Sequence, residues 1–144
     1  GITIPHDAEF VAHSDGDMLL HAVTDALLGA AALGDIGELF PNSDPAHLGR
    51  DSGEMLRHAW QAARDQGWRL VNLDCIVMIE QPKLSAYKAA IAGRIAELLE
   101  VEALQVNIKA KTGEGVGPSG RGEAAEAYCV ALLERPRPSL APTA

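Results

Sequence analysis

The sequence predicts an α+β domain, and three observations carry that prediction. The run from Met18 to Leu33 is apolar or small almost throughout, as a buried helix would be. Two later stretches, Asp51 to Gly67 and Leu84 to Leu99, bring their apolar residues back at helical spacing. Leu70 to Ile79 and Val106 to Lys111 have instead the β-branched content and the two-residue alternation of strands. At 144 residues and 47% hydrophobic, the chain has enough apolar material for one globular domain with an ample core.

Taken in order, Ile2 to Ile4 reads as a short β-like piece ended by Pro5, and Ala8 to Val11 leads into His13-Ser14-Asp15-Gly16-Asp17. Ser14, Asp15 and Asp17 suit an N-cap and first turn, and Gly16 lets the backbone turn tightly among them. In the helix that follows, Asp17, His21 and Asp25 stand four apart and draw one polar stripe down an oily cylinder. Two readings of His21 follow. It is a core histidine bonded to its helical neighbours, or it is a metal ligand oriented by a carboxylate one turn away. Gly34-Asp35-Ile36-Gly37 then reads as a loop, and Phe40 to Pro45 is dense in turn formers.

Asp51-Ser52-Gly53-Glu54 is a helix start, with Glu54 placed to close a capping box. That helix carries Met55, Leu56, Ala59, Trp60 and Ala63 inward and stops at Gly67; Trp60 and Trp68 read as core and rim packing. Leu70 to Ile79 suits a central strand, broken by Glu80-Gln81-Pro82-Lys83. Leu84 to Leu99 is a helix with Ile91, Ile95, Leu98 and Leu99 inward. In the next strand Val106, Ile108 and Ala110 face one way, and Asn107, Lys109 and Lys111 the other. Glu123 to Leu133 is ambiguous, because its alanines favour helix while Tyr128-Cys129-Val130 favours strand. The proline-rich residues 135–144 read as a disordered tail behind a domain of residues 1–134.

The net charge of -8 argues against nucleic acid or an anionic membrane as partner. No apolar run reaches the roughly 18–20 residues of a membrane span, and no signal or transit segment is evident. Cys75 and Cys129, far apart and in apolar surroundings, read as reduced, buried cysteines of a cytoplasmic protein.

Thr112 to Glu123 holds five glycines within ten residues. Such density lets backbone N–H groups converge on an anion, and Lys109, Lys111 and Arg121 around it suit phosphate chemistry. It is neither a Walker A loop nor a Rossmann fingerprint, and a plain surface loop is the competing reading. Glu114 within it repels phosphate unless a divalent cation lies between, as magnesium does when it bridges one carboxylate and phosphate oxygens.

Several of these motifs resemble those of the 2-C-methyl-D-erythritol 2,4-cyclodiphosphate synthase family. They are His13 to Asp17, Thr24 to Ala30, Leu33 to Gly37, Phe40-Pro41, Gln81-Pro82-Lys83, Lys109 to Thr112 and Gly120 to Glu123, in the family's order from residue 1 to about 135. The resemblance implies conversion of 4-diphosphocytidyl-2-C-methyl-D-erythritol 2-phosphate to the cyclic diphosphate and CMP, within non-mevalonate isoprenoid synthesis. The substrate's own 2-phosphate attacks its β-phosphorus, so no protein nucleophile is needed, and none is evident. Catalysis then rests on positioning, worth ~7–11 kcal/mol, and on charge neutralisation.

By the same resemblance His21 is a zinc ligand, and His13 and Ser14 contact the 2-phosphate. Asp35 and Gly37 meet the erythritol hydroxyls. Glu114 binds magnesium or manganese across the diphosphate, which Lys111 and Thr112 orient. Lys83, Leu84 and the backbone around Ala110 line the cytidine pocket. The fold implied is a mixed four-stranded sheet with helices packed on one side, assembling as a homotrimer with active sites between subunits. Glu123 to Leu133 becomes a strand, and Arg121 and Glu123 face the trimer axis, where some members hold an isoprenoid diphosphate.

The family takes an Asp-x-His zinc pair from a strand ahead of the position where this sequence begins, so the polypeptide is expected to start roughly twenty residues upstream. Asn42 stands where the family often has aspartate, and Pro118 where an aromatic is common near the axis. A catalytically silent trimer that binds a cytidine nucleotide or an isoprenoid diphosphate is the alternative reading.

Overall fold

The computed structural model describes residues 1–7, 14–41 and 49–136. Helix α1 (Met18–Ala31) opens where Asp17 accepts a hydrogen bond from the Leu20 amide, 3.0 Å away. It ends at Ala32, whose φ of 57° is left-handed and lets the Ala32 and Leu33 amides close onto Gly29 and Leu28. Leu20, Val23, Leu27 and Leu28 are almost wholly buried, each contributing about 1.5–3 kcal/mol. The helix is not buried all round, however: Asp25, Gly29 and Ala30 are exposed. Small residues raise the apolar count without bringing area that needs cover.

The expected loop after α1 is in part a short helix, α2 (Ile36–Leu39), capped by Asp35. Helix α3 (Ser52–Asp65) starts as expected, with the Asp51 carboxylate accepting from the Glu54 amide at 2.8 Å. It buries Met55, Leu56, Ala59, Trp60 and Ala63 against α1 and the next helix. Gly67, at φ 84°, carries the chain out of it.

Strand β1 (Arg69–Met78) is central. Helix α4 (Lys88–Leu99) begins four residues later than the sequence suggests, because Leu84 to Tyr87 forms a turn anchored by buried Leu84. It carries the chain back to β2 (Val106–Lys111), which pairs parallel to β1 from Leu73↔Val106 to Met78↔Lys111. After α5 (Gly117–Gly120), β3 (Glu126–Glu134) runs antiparallel to β1 on its other side. Strand wins over alanine's helical preference there because Ala127, Cys129, Ala131 and Leu133 pack against the core beneath α1.

The result is a mixed sheet in the order β2-β1-β3 with its helices on one face. Three strands form it among the described residues. Ile2 and Ile4 pack against the core without forming the strand expected of them. The far face is uncovered: Tyr128, Val130 and Leu132 are 56%, 71% and 56% exposed. Among the described residues, no helix is long and apolar enough to cross a membrane.

Candidate functional site

The first group of predicted site residues gathers at the head of α1. Ser14 Oγ lies 3.2 Å from His21 Nε2, so the turn folds back onto the first turns of the helix it opens. Gly16, at φ 76°, makes that reversal, and the Asp17 amide donates to Asp15 Oδ1 at 3.1 Å. Asp15 also reaches α3, where its two oxygens accept from the Ser52 hydroxyl at 2.5 Å and the Ser52 amide at 2.9 Å. Ser52 is fully buried, so this carboxylate fixes the turn against the N-terminus of α3. His13 lies outside the described residues, as do Asn42 and residues 137–144 of the tail.

Asp35 is the N-cap of α2 and Gly37 lies within it. The Asp35 carboxylate is occupied as a cap, accepting from the Glu38 amide at 2.8 Å. Asp25 Oδ1 on α1 accepts from the Ile36 amide, also at 2.8 Å, and pins the start of α2 to α1. The polar stripe on α1 is therefore divided in its work. Asp17 caps α1, Asp25 holds α2, and His21 turns to Ser14 rather than to a helical neighbour.

The second group lies where β1 and β2 end side by side. The Ile79 amide donates to the Lys111 carbonyl at 3.0 Å, which continues the ladder past Met78↔Lys111. Ala110 pairs with Val77 in the adjacent rung, and Thr112 follows directly. On the β1 side the chain passes the cis Gln81-Pro82 peptide to Lys83, 3.4 Å from Glu80, and to buried Leu84. Lys109 is not available to an anion as expected. It faces Asp74 on the open side of the sheet at 2.5 Å, and Asn107 donates to the same carboxylate at 2.8 Å. The Lys109 hydrogen bond, with that of Asn107, holds the Asp74 carboxyl below its usual range.

The glycine-rich loop is an ordered run of tight turns. A Cβ on Gly113 would stand 2.4 Å from the Gly120 nitrogen, and one on Gly120 would stand 2.7 Å from the Gly115 carbonyl carbon. These segments pass so closely that only glycine fits. The Val116 amide closes onto Gly113 at 2.9 Å, and Glu123 onto Pro118 at 2.9 Å. Buried Ser119 donates to Glu126 Oε1 at 3.0 Å and ties the loop to the start of β3. Glu114, at φ 52°, holds the exposed tip. Arg121 is gripped in a bidentate pair by Glu123 at 2.8 and 2.9 Å, which raises the guanidinium and lowers the carboxyl.

Among the described residues, no hydrogen bond or ion pair joins the two groups. Concavities of about 650 and 370 Å³ are lined by Arg64, Trp68 and Arg69, at the opposite end of β1. Nor do the described residues bring three His, Cys, Asp or Glu side chains together as a metal site. His21 offers one donor, short of the three a catalytic zinc takes, so these residues alone do not fit that ion. Glu114 does fit the way magnesium binds, through one exposed carboxylate with phosphate oxygens completing the shell. The ties made by Asp15, Ser52 and Asp25 escape sequence reading. Their partners lie 37 and 11 residues away, beyond any helical or strand period.

The family model described as the YgbB family matches residues 1–134. A curated relative from Geobacillus kaustophilus, named 2-C-methyl-D-erythritol 2,4-cyclodiphosphate synthase, is 50% identical over 135 residues, 94% of this chain and 85% of the relative. Among solved structures, the bifunctional IspDF of Campylobacter jejuni superposes with a TM-score of 0.90 at 41% identity. That match covers 94% of this chain but only 37% of the bifunctional chain. A 2C-methyl-D-erythritol-2,4-cyclodiphosphate synthase in its CDP-bound form superposes with a TM-score of 0.84 at 36% identity, over 93% of this chain and 87% of its own.

Proposed function

We infer the function from one fact: the chain belongs to the YgbB family. It is a lyase that carries out the cyclodiphosphate-forming step of isoprenoid biosynthesis. Its substrate is 4-diphosphocytidyl-2-C-methyl-D-erythritol 2-phosphate, and its products are 2-C-methyl-D-erythritol 2,4-cyclodiphosphate and CMP. The agreement with the family along almost the whole chain is the observation that carries this assignment.

In the reaction a 2-phosphate oxygen bonds to the β-phosphorus while the bond between that phosphorus and the bridging oxygen breaks, and CMP leaves with the electron pair. The protein's part is to fold a flexible substrate into line. Ser14, beside His21 and next in chain to His13, receives the 2-phosphate, and Asp35 and Gly37 hold the erythritol. Lys111 and Thr112 orient the diphosphate, while Lys83, Leu84 and Ala110 border the cytidine. The reaction uses a divalent metal. Where magnesium or manganese binds, Glu114 and the phosphate oxygens would hold it, and it would neutralise charge on the diphosphate. Zinc would take His21 together with donors from outside the described residues.

The working unit is a homotrimer with the site divided between adjacent copies. That no hydrogen bond or ion pair joins the two residue groups among the described residues supports this, as does the uncovered sheet face with Tyr128, Val130 and Leu132. In the assembly residues 1–134 form one domain, with a proline-rich tail behind it, and the enzyme works in the cytoplasm. Since Glu123 already fills the Arg121 fork, an isoprenoid diphosphate on the axis would have to displace that carboxylate.

The test is CMP release with added zinc and magnesium, with phosphorus NMR of the second product. Metal-dependent CMP appearing with a cyclic diphosphate supports the reading. Nucleotide binding without CMP release contradicts it.

A further inference from the structure

The two cysteines, 54 positions apart in the chain, are opposed rungs of the β1–β3 ladder, and their sulfurs lie 3.3 Å apart as free thiols. Opposed residues of an antiparallel pair have Cα atoms about 4.5 or 5.5 Å apart, depending on the rung. Both spacings fall within the roughly 4.4–6.8 Å that a disulfide spans. Bringing the sulfurs to the bonded distance of about 2.05 Å therefore asks for side-chain rotation rather than backbone movement. Cys75 is fully buried and Cys129 half-buried, so a small oxidant meets one sulfur first with the second directly behind it. Ala127 and Ala131, both small, flank Cys129 on the same face of β3.

We propose that Cys75 and Cys129 are a reversible modification site, closing to an intrachain disulfide when a peroxide is the oxidant. One sulfur breaks the O–O bond of hydrogen peroxide, becomes a sulfenic acid and releases water. The other attacks that sulfur, the S–S bond forms, and the hydroxyl leaves as a second water. Two thiol hydrogens and two electrons pass to the peroxide, and a dithiol reductant reverses the change. The hydrogen bond shared with Cys129 holds the Cys75 thiol below its ordinary value, while Cys129 is pushed up by the same bond and by burial. The closed ring encloses α4, β2 and the glycine-rich loop, so it restricts the unfolded chain and raises the unfolding midpoint. None of this depends on the reaction the protein catalyses.

The experiment exposes the whole native protein to hydrogen peroxide, denatures it in an alkylating agent, and reads the intact mass. The expected result is loss of both alkylation sites and of two hydrogens, with both sites restored by dithiothreitol and a peptide map joining Cys75 to Cys129. Cys75→Ser and Cys129→Ser should each keep one site and form no intrachain bond. If either variant fails to fold, the wild-type peptide map decides alone. Two thiols still open to alkylation, Cys129 carried to sulfinic acid with Cys75 untouched, or bonds only between chains would each overturn the proposal.

Discussion

Asp25 Oδ1 accepts the Ile36 amide hydrogen at 2.8 Å, and through that bond one carboxylate on α1 sets where Asp35 and Gly37 stand. Asp25→Ala should cost about 1 kcal/mol of stability, the usual scale of a lost helix-start bond. It should raise KM more than it lowers kcat if the residues it displaces, Asp35 and Gly37, bind the erythritol as proposed. Steady-state CMP release beside a denaturant titration reads both effects.

Asp15 holds the turn to α3 through buried Ser52. Asp15→Ala leaves the Ser52 hydroxyl and amide without their partner, and bonds to a charged group are worth about 1.5–3 kcal/mol each. A loss of about 3 kcal/mol is expected, with Ser52→Ala milder because the amide bond survives. Urea unfolding of the three proteins gives the comparison.

The glycine loop separates close approach from backbone conformation. Gly113→Ala drives a Cβ into the Gly120 backbone, and with this loop proposed to hold the diphosphate such a displacement should lower kcat by about 100-fold. Gly115→Ala meets nothing within 4 Å and carries only the left-handed strain of φ 77°, about 1–2 kcal/mol of stability. Activity and thermal midpoint measured on both should move in opposite proportions.

Asp74 gives a pH dependence with a definite sign. Its folded pKa is depressed, first by the Lys109 hydrogen bond and then by that of Asn107. The stability it contributes is therefore present above the ordinary carboxylate value near ~3.9 and is lost as pH falls through the lower folded value. Lys109→Ala should move the Asp74 titration upward towards the ordinary value and flatten the acid limb of the stability curve. Carbon-detected NMR of the side-chain carboxyl follows it directly.

How much of this could be read in advance depends on how local each cause is. The seams of α1, α3 and α4 and the alternation of β2 are written into neighbouring residues, and they stand where the periodicity puts them. Four-residue α2 is too short to show a period, so its sequence reads as loop. The alanines of β3 left helix and strand open until the core beneath α1 chose. For the site, composition marked the glycine loop and Ser14, but not the partners that aim them. Asp25 looked like a companion to His21 because both share a helical face, yet its carboxylate reaches across to the next element. Lys109 looked free because Asp74, its neighbour across the sheet, is 35 residues earlier.

A site divided between copies of the chain should show complementation between variants. The direct measurement is CMP release from mixed assemblies of two variants each expected to be inactive, His21→Ala and Lys111→Ala, unfolded together and refolded. With the two groups supplied by different copies, random mixing should restore roughly a quarter of the sites. Mixed assemblies that stay as inactive as either variant alone would contradict it.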